Sequence, residues 1–93
     1  MSGRTAALAV GEQHDNYPGE VIRWEGQDGA TRIVRSKCDL QWIVQRRIGL
    51  LAEKPRWRSD GFCRSRDGLV RLLKEHATEI KQKMPSRYEE AAA

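Results

Sequence analysis

Eight side chains between residues 45 and 64 have the chemistry to recognise an anion or a flat ring: Gln45, Arg46, Arg47, Arg56, Trp57, Arg58, Phe62 and Arg64. Guanidinium forks suit phosphate oxygens and base edges, and aromatic rings stack or anchor an interface. Gln41 and Lys54 belong to the same group. The patterns that carry catalysis are missing. There is no Gly-rich phosphate loop and no nucleophile elbow. Cys38, Cys63, His14 and His76 lack metal-ligand spacing, and Glu53, Asp60 and Asp67 lack the spacing of paired carboxylates. Cys63 and His76 could meet in space, but both fall on the core-facing sides of their elements, where they pack. The residues therefore indicate a binding module, not an enzyme, with no cofactor and no metal.

Charge points the same way. Residues 1–31 hold two arginines against five carboxylates, whereas residues 32–88 hold 15 Lys or Arg against six Asp or Glu, a surplus of nine. A basic body of this kind suggests an anionic partner. The competing explanation is a charged surface that keeps a small protein in solution. No apolar run approaches 18 residues, which excludes a membrane-spanning helix. The apolar stretch at residues 5–10 is too short for the apolar core of a signal peptide. A cytoplasmic protein with two reduced cysteines is expected.

The arginine-bearing stretch needs a frame. Residues 1–19 lack periodicity and read as a flexible arm. Residues 20–25 form a first strand that ends at Gly26-Gln27-Asp28-Gly29, a tight-turn signal. Residues 31–38 form a second strand. Residues 40–48 and 56–64 form a hairpin, strands three and four. Alternation along the third strand puts Leu40, Trp42, Val44 and Ile48 on one face, and Gln41, Ile43, Gln45 and Arg47 on the other. In the fourth, unbroken alternation groups Trp57, Ser59, Gly61 and Cys63, with Arg58, Asp60, Phe62 and Arg64 opposite; a bulge at Gly61 is the alternative. Ser65 is a helix N-cap with Asp67 in the first turn. Leu69, Leu72, Leu73, His76, Ala77 and Ile80 then make one helical stripe. Pro85 ends the helix at Met84.

The expected fold is α+β: a small antiparallel meander of three to four strands, covered on one face by a single C-terminal amphipathic helix. Residues 20–84 form one domain and residues 85–93 a tail. Trp42, Trp57, Leu69, Leu72, Leu73 and Ile80 are expected to share the core. The opposite face, with Ile43, Gln45, Arg47, Arg58, Phe62 and Arg64, is expected to be open.

Between Asp39 and Lys74 the string Trp42-Ile-Val-Gln-Arg-Arg47, Trp57, Phe62-Cys-Arg-Ser-Arg66, Leu69, Leu72 and Leu73 resembles short uncharacterised proteins of proteobacterial phages and prophages. That resemblance implies a small anti-defence protein, for example an anti-CRISPR-like inhibitor of a host effector. In architecture, a hairpin followed by a helix is similar to sheet-plus-helix DNA binders such as the arm-binding domain of phage integrases and the plant ethylene-response domain. That likeness is one of fold, which does not fix function, and no binding residues carry over from it. The expected function is nucleic-acid binding, DNA in preference to RNA, through the exposed face of the 40–64 hairpin. The alternative is inhibition of a nucleic-acid-handling host effector protein. Either suits a monomer or a homodimer without membrane contact.

Overall fold

The computed structural model describes residues 11–26, 29–48 and 56–92. Four strands, β1 (Glu20–Gly26), β2 (Gly29–Arg35), β3 (Trp42–Ile48) and β4 (Arg56–Cys63), form an antiparallel sheet in the order β1-β2-β3-β4. Short helices follow: α1 (Arg66–Leu72), a 3-10 turn (Lys74–His76), α2 (Ala77–Lys83) and α3 (Tyr88–Ala92). The fold is thus a small α+β arrangement, a sheet followed by C-terminal helices. No helix among the described residues is long and apolar enough to cross a membrane.

The strands form where β-branched and aromatic residues concentrate. Gly26 pairs with Gly29 across the first connection, and Gly29 has φ +125°, a conformation glycine reaches without strain. Gln27 and Asp28, the centre of the expected tight turn, lie outside the described residues, as do the hairpin loop 49–55 and the first ten residues. Asp39, at φ 60°, turns the chain between β2 and β3. There Ser36 Oγ accepts from the Leu40 and Gln41 amides, closing a turn that Asp and Ser favour.

The helical part departs from the single helix expected over 65–84. Ser65 does cap α1, its hydroxyl accepting from the Gly68 amide at 3.2 Å, and α2 does end before Pro85. Between them the chain breaks at Leu73, which sits at φ −128°, ψ 62°. No glycine or proline marks the break. Its consequence is in the packing. Leu73, Leu69, Ile80 and Met84 all reach one buried cluster with Ile33, Trp42, Val44, Cys63 and Tyr88. Leu72, expected in that core, is turned outward at 44% exposure.

Tyr88 extends the fold past the expected end of the domain. Arg66 N–H donates to Ser86 O and Tyr88 N–H donates to Arg64 O, both at 2.8 Å. These two bonds fold the expected tail back along the start of α1. The Tyr88 ring then meets Trp42 edge-on, centroids 5.2 Å apart.

The sheet's second face corrects the reading of an open surface. Ile43 and Gln45 are buried there, and Tyr17, Val34 and Ile43 form a second apolar cluster. The cover is the segment Gly11–Gly19, expected to be part of a flexible arm. Tyr17 donates its hydroxyl to Arg35 O at 2.7 Å, and Trp57 N–H donates to Gln13 O at 3.0 Å.

Two glycines give a test of these contacts. A Cβ on Gly19 would lie 2.5 Å from Tyr17 Cε2 and 2.9 Å from the Arg35 carbonyl oxygen, which is backbone and cannot step aside. A Cβ on Gly61 would lie 2.4 Å from Leu72 Cδ1, the free end of a half-exposed side chain. Gly19→Ala is expected to cost about 1 to 3 kcal/mol as overpacking, and Gly61→Ala under about 1 kcal/mol. Urea unfolding of both variants checks this, and equal costs would contradict the described packing.

Candidate functional site

The fourth strand does not keep a single alternation. In the pairing of β3 with β4, Val44 faces Gly61 but Gln45 faces Ser59, so Asp60 is an extra, unpaired residue. A bulge of this kind flips the parity of everything beyond it. Trp57 therefore pairs with Arg47 and shares the face of Ile43 and Gln45, not the face of Trp42. The expectation that Trp42 and Trp57 line one core is overturned by one inserted residue. The expected grouping of Arg47 with Arg58 fails for the same reason: Arg58 pairs with Arg46 and lies on the helix side.

Trp57 is 1% exposed and forms the floor of an arginine cluster. The Arg32 guanidinium lies 4.2 Å from its ring centroid, Arg23 lies 5.1 Å and Arg47 5.9 Å away. Cations over an indole face are attracted by its quadrupole. Arg32 is fully buried, and sequence reasoning missed it. Its Nε donates to Gln45 Oε1 at 2.8 Å. Nη1 donates to Asp15 O and to the Glu20 carboxylate, at 3.1 and 3.2 Å. Nη2 donates to Glu12 O and His14 O, at 3.0 and 2.8 Å. A guanidinium has five N–H groups, and all five are used. Gln45, 0% exposed, completes the set by donating to Glu12 O.

This cluster absorbs much of the charge asymmetry. Arg23 pairs with Asp15, Glu20 and Glu25 at 3.2, 2.8 and 3.7 Å, and Arg47 pairs with Glu25 at 3.3 Å. The indole N–H of Trp57 donates to Asp15 at 3.1 Å and, with Arg23 and Arg32 nearby, holds that carboxyl below its ordinary range. The Glu20 hydrogen bond raises the Arg23 pKa, while burial lowers that of Arg32. The acidic segment before residue 31 is thus the internal counterion of Arg23, Arg32 and Arg47.

Of the eight expected recognition residues, Gln45 and Trp57 are buried inside the fold and Arg47 is half-buried and paired. They belong to the cluster and not to a free surface: the Gly11–Gly19 segment bonds Gln45 and Trp57, and Glu25 pairs with Arg47. The others stay accessible. Arg46, Arg56, Arg58 and Arg64 are exposed, and Phe62 is 59% exposed. Arg46 and Arg58 share Asp60: Arg46 Nε is 2.8 Å from one carboxylate oxygen, and Arg58 Nε is 2.9 Å from the other. Among the described residues, Arg56, Arg64 and Arg71 make no ion pair. Beside Arg46 and Arg58 a recess of about 480 Å³ is lined also by Thr31, Trp24 and His76. His76 stacks flat on Trp24, centroids 4.0 Å apart, and Trp24 donates its indole N–H to Glu79 at 3.1 Å, lowering that carboxyl's pKa.

A second cleft, of about 620 Å³, lies at the opposite end, lined by Tyr17, Val21, Trp42, Met84 and Arg35. Arg35 there is committed to Asp39 at 2.9 Å, and Tyr88 donates its hydroxyl to the same carboxylate. That double hydrogen bonding, from Tyr88 first and Arg35 second, holds Asp39 below its usual range. Cys63 lies in the core, and burial pushes its thiol pKa up, away from the reactive thiolate.

A signal for the buried second face was present in the chain. Ile33-Val34 on one strand and Ile43-Val44 on the next are adjacent apolar pairs. Neighbouring strand residues point to opposite faces, so each pair demands cover on both sides. Compared with family models, with curated proteins and with solved structures, the chain matches none.

Proposed function

We propose that the chain is a non-enzymatic binding module for nucleic acid, DNA in preference to RNA. It acts in the bacterial cytoplasm and engages its ligand along β4 and the adjoining end of β3. The observation that carries this reading is the charge left after internal pairing. Arg46, Arg56, Arg58 and Arg64 remain exposed along β4 and the adjoining end of β3, with Asp60 shared by Arg46 and Arg58, and the exposed Phe62 ring lies on the other face of the same strand. Exposed arginines with an accessible ring match what a phosphate backbone and its bases require.

Fluorescence anisotropy with a labelled duplex and a labelled single strand tests it over a series of salt concentrations. Binding is expected to weaken steeply with salt as counterions are released. The triple variant R56A/R58A/R64A should lose about three units of salt slope, roughly one per phosphate contact. It should still fold, because each exposed charge contributes only about 0 to 1 kcal/mol. Absence of binding to either probe at low salt would sink the reading.

One observation favours a protein partner instead. Phe62 and Leu72 are large apolar side chains left in solvent, at 59% and 44% exposure. Exposed aromatic and arginine side chains are also the composition of an interface hot spot. The second reading is therefore an anti-defence inhibitor that binds a host effector protein. A host partner retained on the immobilised protein after nuclease treatment, and lost with Phe62→Ala, selects it.

A further inference from the structure

Arg46 and Arg58 face each other directly across β3 and β4. Like charges in that position repel. The inserted Asp60 lies where it meets both, one carboxylate oxygen to each Nε. A bulge re-aims a side chain that regular pairing would have sent elsewhere. The arrangement is lopsided in a useful way. Arg58 donates its Nε–H to Asp60, whereas Arg46 meets the carboxylate through Nε as an ion pair. Arg46 Nη1 also reaches Thr31 Oγ1 at 3.4 Å. Among the described residues, the terminal nitrogens of Arg58 make no hydrogen bond. Two cations thus flank one anion, and both line the recess that also holds Thr31 and His76. Of the carboxylates lining that recess, Glu25 is engaged by Arg47 and Arg23. Glu75 lies 3.9 Å from His76 Nε2.

We propose that the Arg46–Arg58 pair is a phosphate-binding site that Asp60 occupies in the free protein and that a ligand phosphate takes over. A carboxylate held by two guanidiniums is the closest side-chain stand-in for a phosphate oxyanion. A phosphate brings more oxygens and more charge, so it can use the terminal nitrogens that Asp60 leaves idle. Asp60 keeps the two arginines together without a ligand, and its displacement sets the affinity. This deepens the nucleic-acid reading by naming a phosphate subsite, but it does not require the phosphate to belong to a nucleic acid.

The test follows the Nε–H resonances of Arg46 and Arg58 by NMR, in the wild type and in Asp60→Asn, during titration with inorganic phosphate and, separately, with a short single-stranded oligonucleotide. Asp60→Ser is carried alongside, so a folding defect in one variant does not leave the question open. Both resonances are expected to shift. Removing the competing charge a few ångströms away should tighten binding about five- to tenfold. Arg58→Ala should abolish the response. If Asp60 serves only to relieve repulsion between the arginines, both neutral variants lose thermal stability and bind no better, and the inference is overturned. Unmoved Arg46 and Arg58 resonances overturn it as well. Oligonucleotide binding that is equal in the wild type and Asp60→Asn, but lost in R56A/R64A, removes this subsite and leaves the nucleic-acid reading intact. A phosphate response that strengthens in Asp60→Asn without any oligonucleotide binding supports the subsite and removes that reading.

Discussion

Arg32→Met is expected to lower the unfolding free energy by about 3 to 5 kcal/mol, the cost of removing a buried guanidinium that makes several charge-assisted hydrogen bonds. Domains of this size are typically stable by about 5 to 15 kcal/mol, so the loss is a fifth of the total or more. Methionine has comparable bulk and fills the space over Trp57. What it cannot do is donate. The backbone carbonyls of Glu12, His14 and Asp15 would each lose one of two donors, keeping Gln45 Nε2, the Tyr17 amide and Arg23 Nη2, and Glu20 would keep Arg23, but the buried Gln45 Oε1 would lose its hydrogen bond. The unsatisfied Gln45 Oε1 carries its own penalty, and the carbonyls lose the charge-assisted half of their bonding. Arg32→Lys should recover only part, since one ammonium offers three donors from a single point. Urea titration followed by tryptophan fluorescence measures both. The same variant should release the Gly11–Gly19 segment and expose the peptide bonds near His14 to protease. If Arg32→Met unfolds within about 1 kcal/mol of the parent, the segment is held by its apolar contacts through Tyr17 and not by the arginine.

Leu73→Ala should cost about 2 to 5 kcal/mol, whereas Leu72→Ala, one residue earlier, should cost under about 1 kcal/mol. Leu73 is 0% exposed in the cluster with Trp42, Leu69 and Ile80, and its truncation leaves a cavity that the sheet cannot collapse into. Leu72 lies outward over Gly61. A continuous helix would have both residues on one stripe, so the ratio of the two costs reports the break at Leu73 directly. Thermal unfolding in parallel decides it. Similar losses for the two variants would mean that the helix runs unbroken through Leu73.

The surviving expectations are those that depend on neighbours in the chain. Strand existence follows from β-branched and aromatic runs, the α1 start from a Ser65 side chain that reaches an amide three residues on, and the α2 end from Pro85 acting on Met84. The alternation on β3 is likewise local, and it places Trp42 and Val44 against the helices as expected. The exposed arginines at 46, 56, 58 and 64 are legible for the same reason, since charged side chains stay in water unless something pairs them.

Tertiary structure decided the rest, wherever the answer depended on a partner far along the chain. Whether Asp60 is paired or inserted depends on what lies across the strand, and that single choice moved Trp57 to the opposite face. Whether Arg32 is a surface charge or a buried one depends on carbonyls 17 to 20 residues away, which no local pattern announces. The helix breaks at Leu73 because burying Leu69, Leu73, Ile80 and Met84 together outweighs one lost turn of hydrogen bonds, a balance set by the sheet beneath. Local patterns in the chain specify an antiparallel sheet followed by helical structure and a basic body. The folded chain decides which of its arginines are spent on its own acidic segment and which stay exposed, because charge pairs form in space and not along the chain.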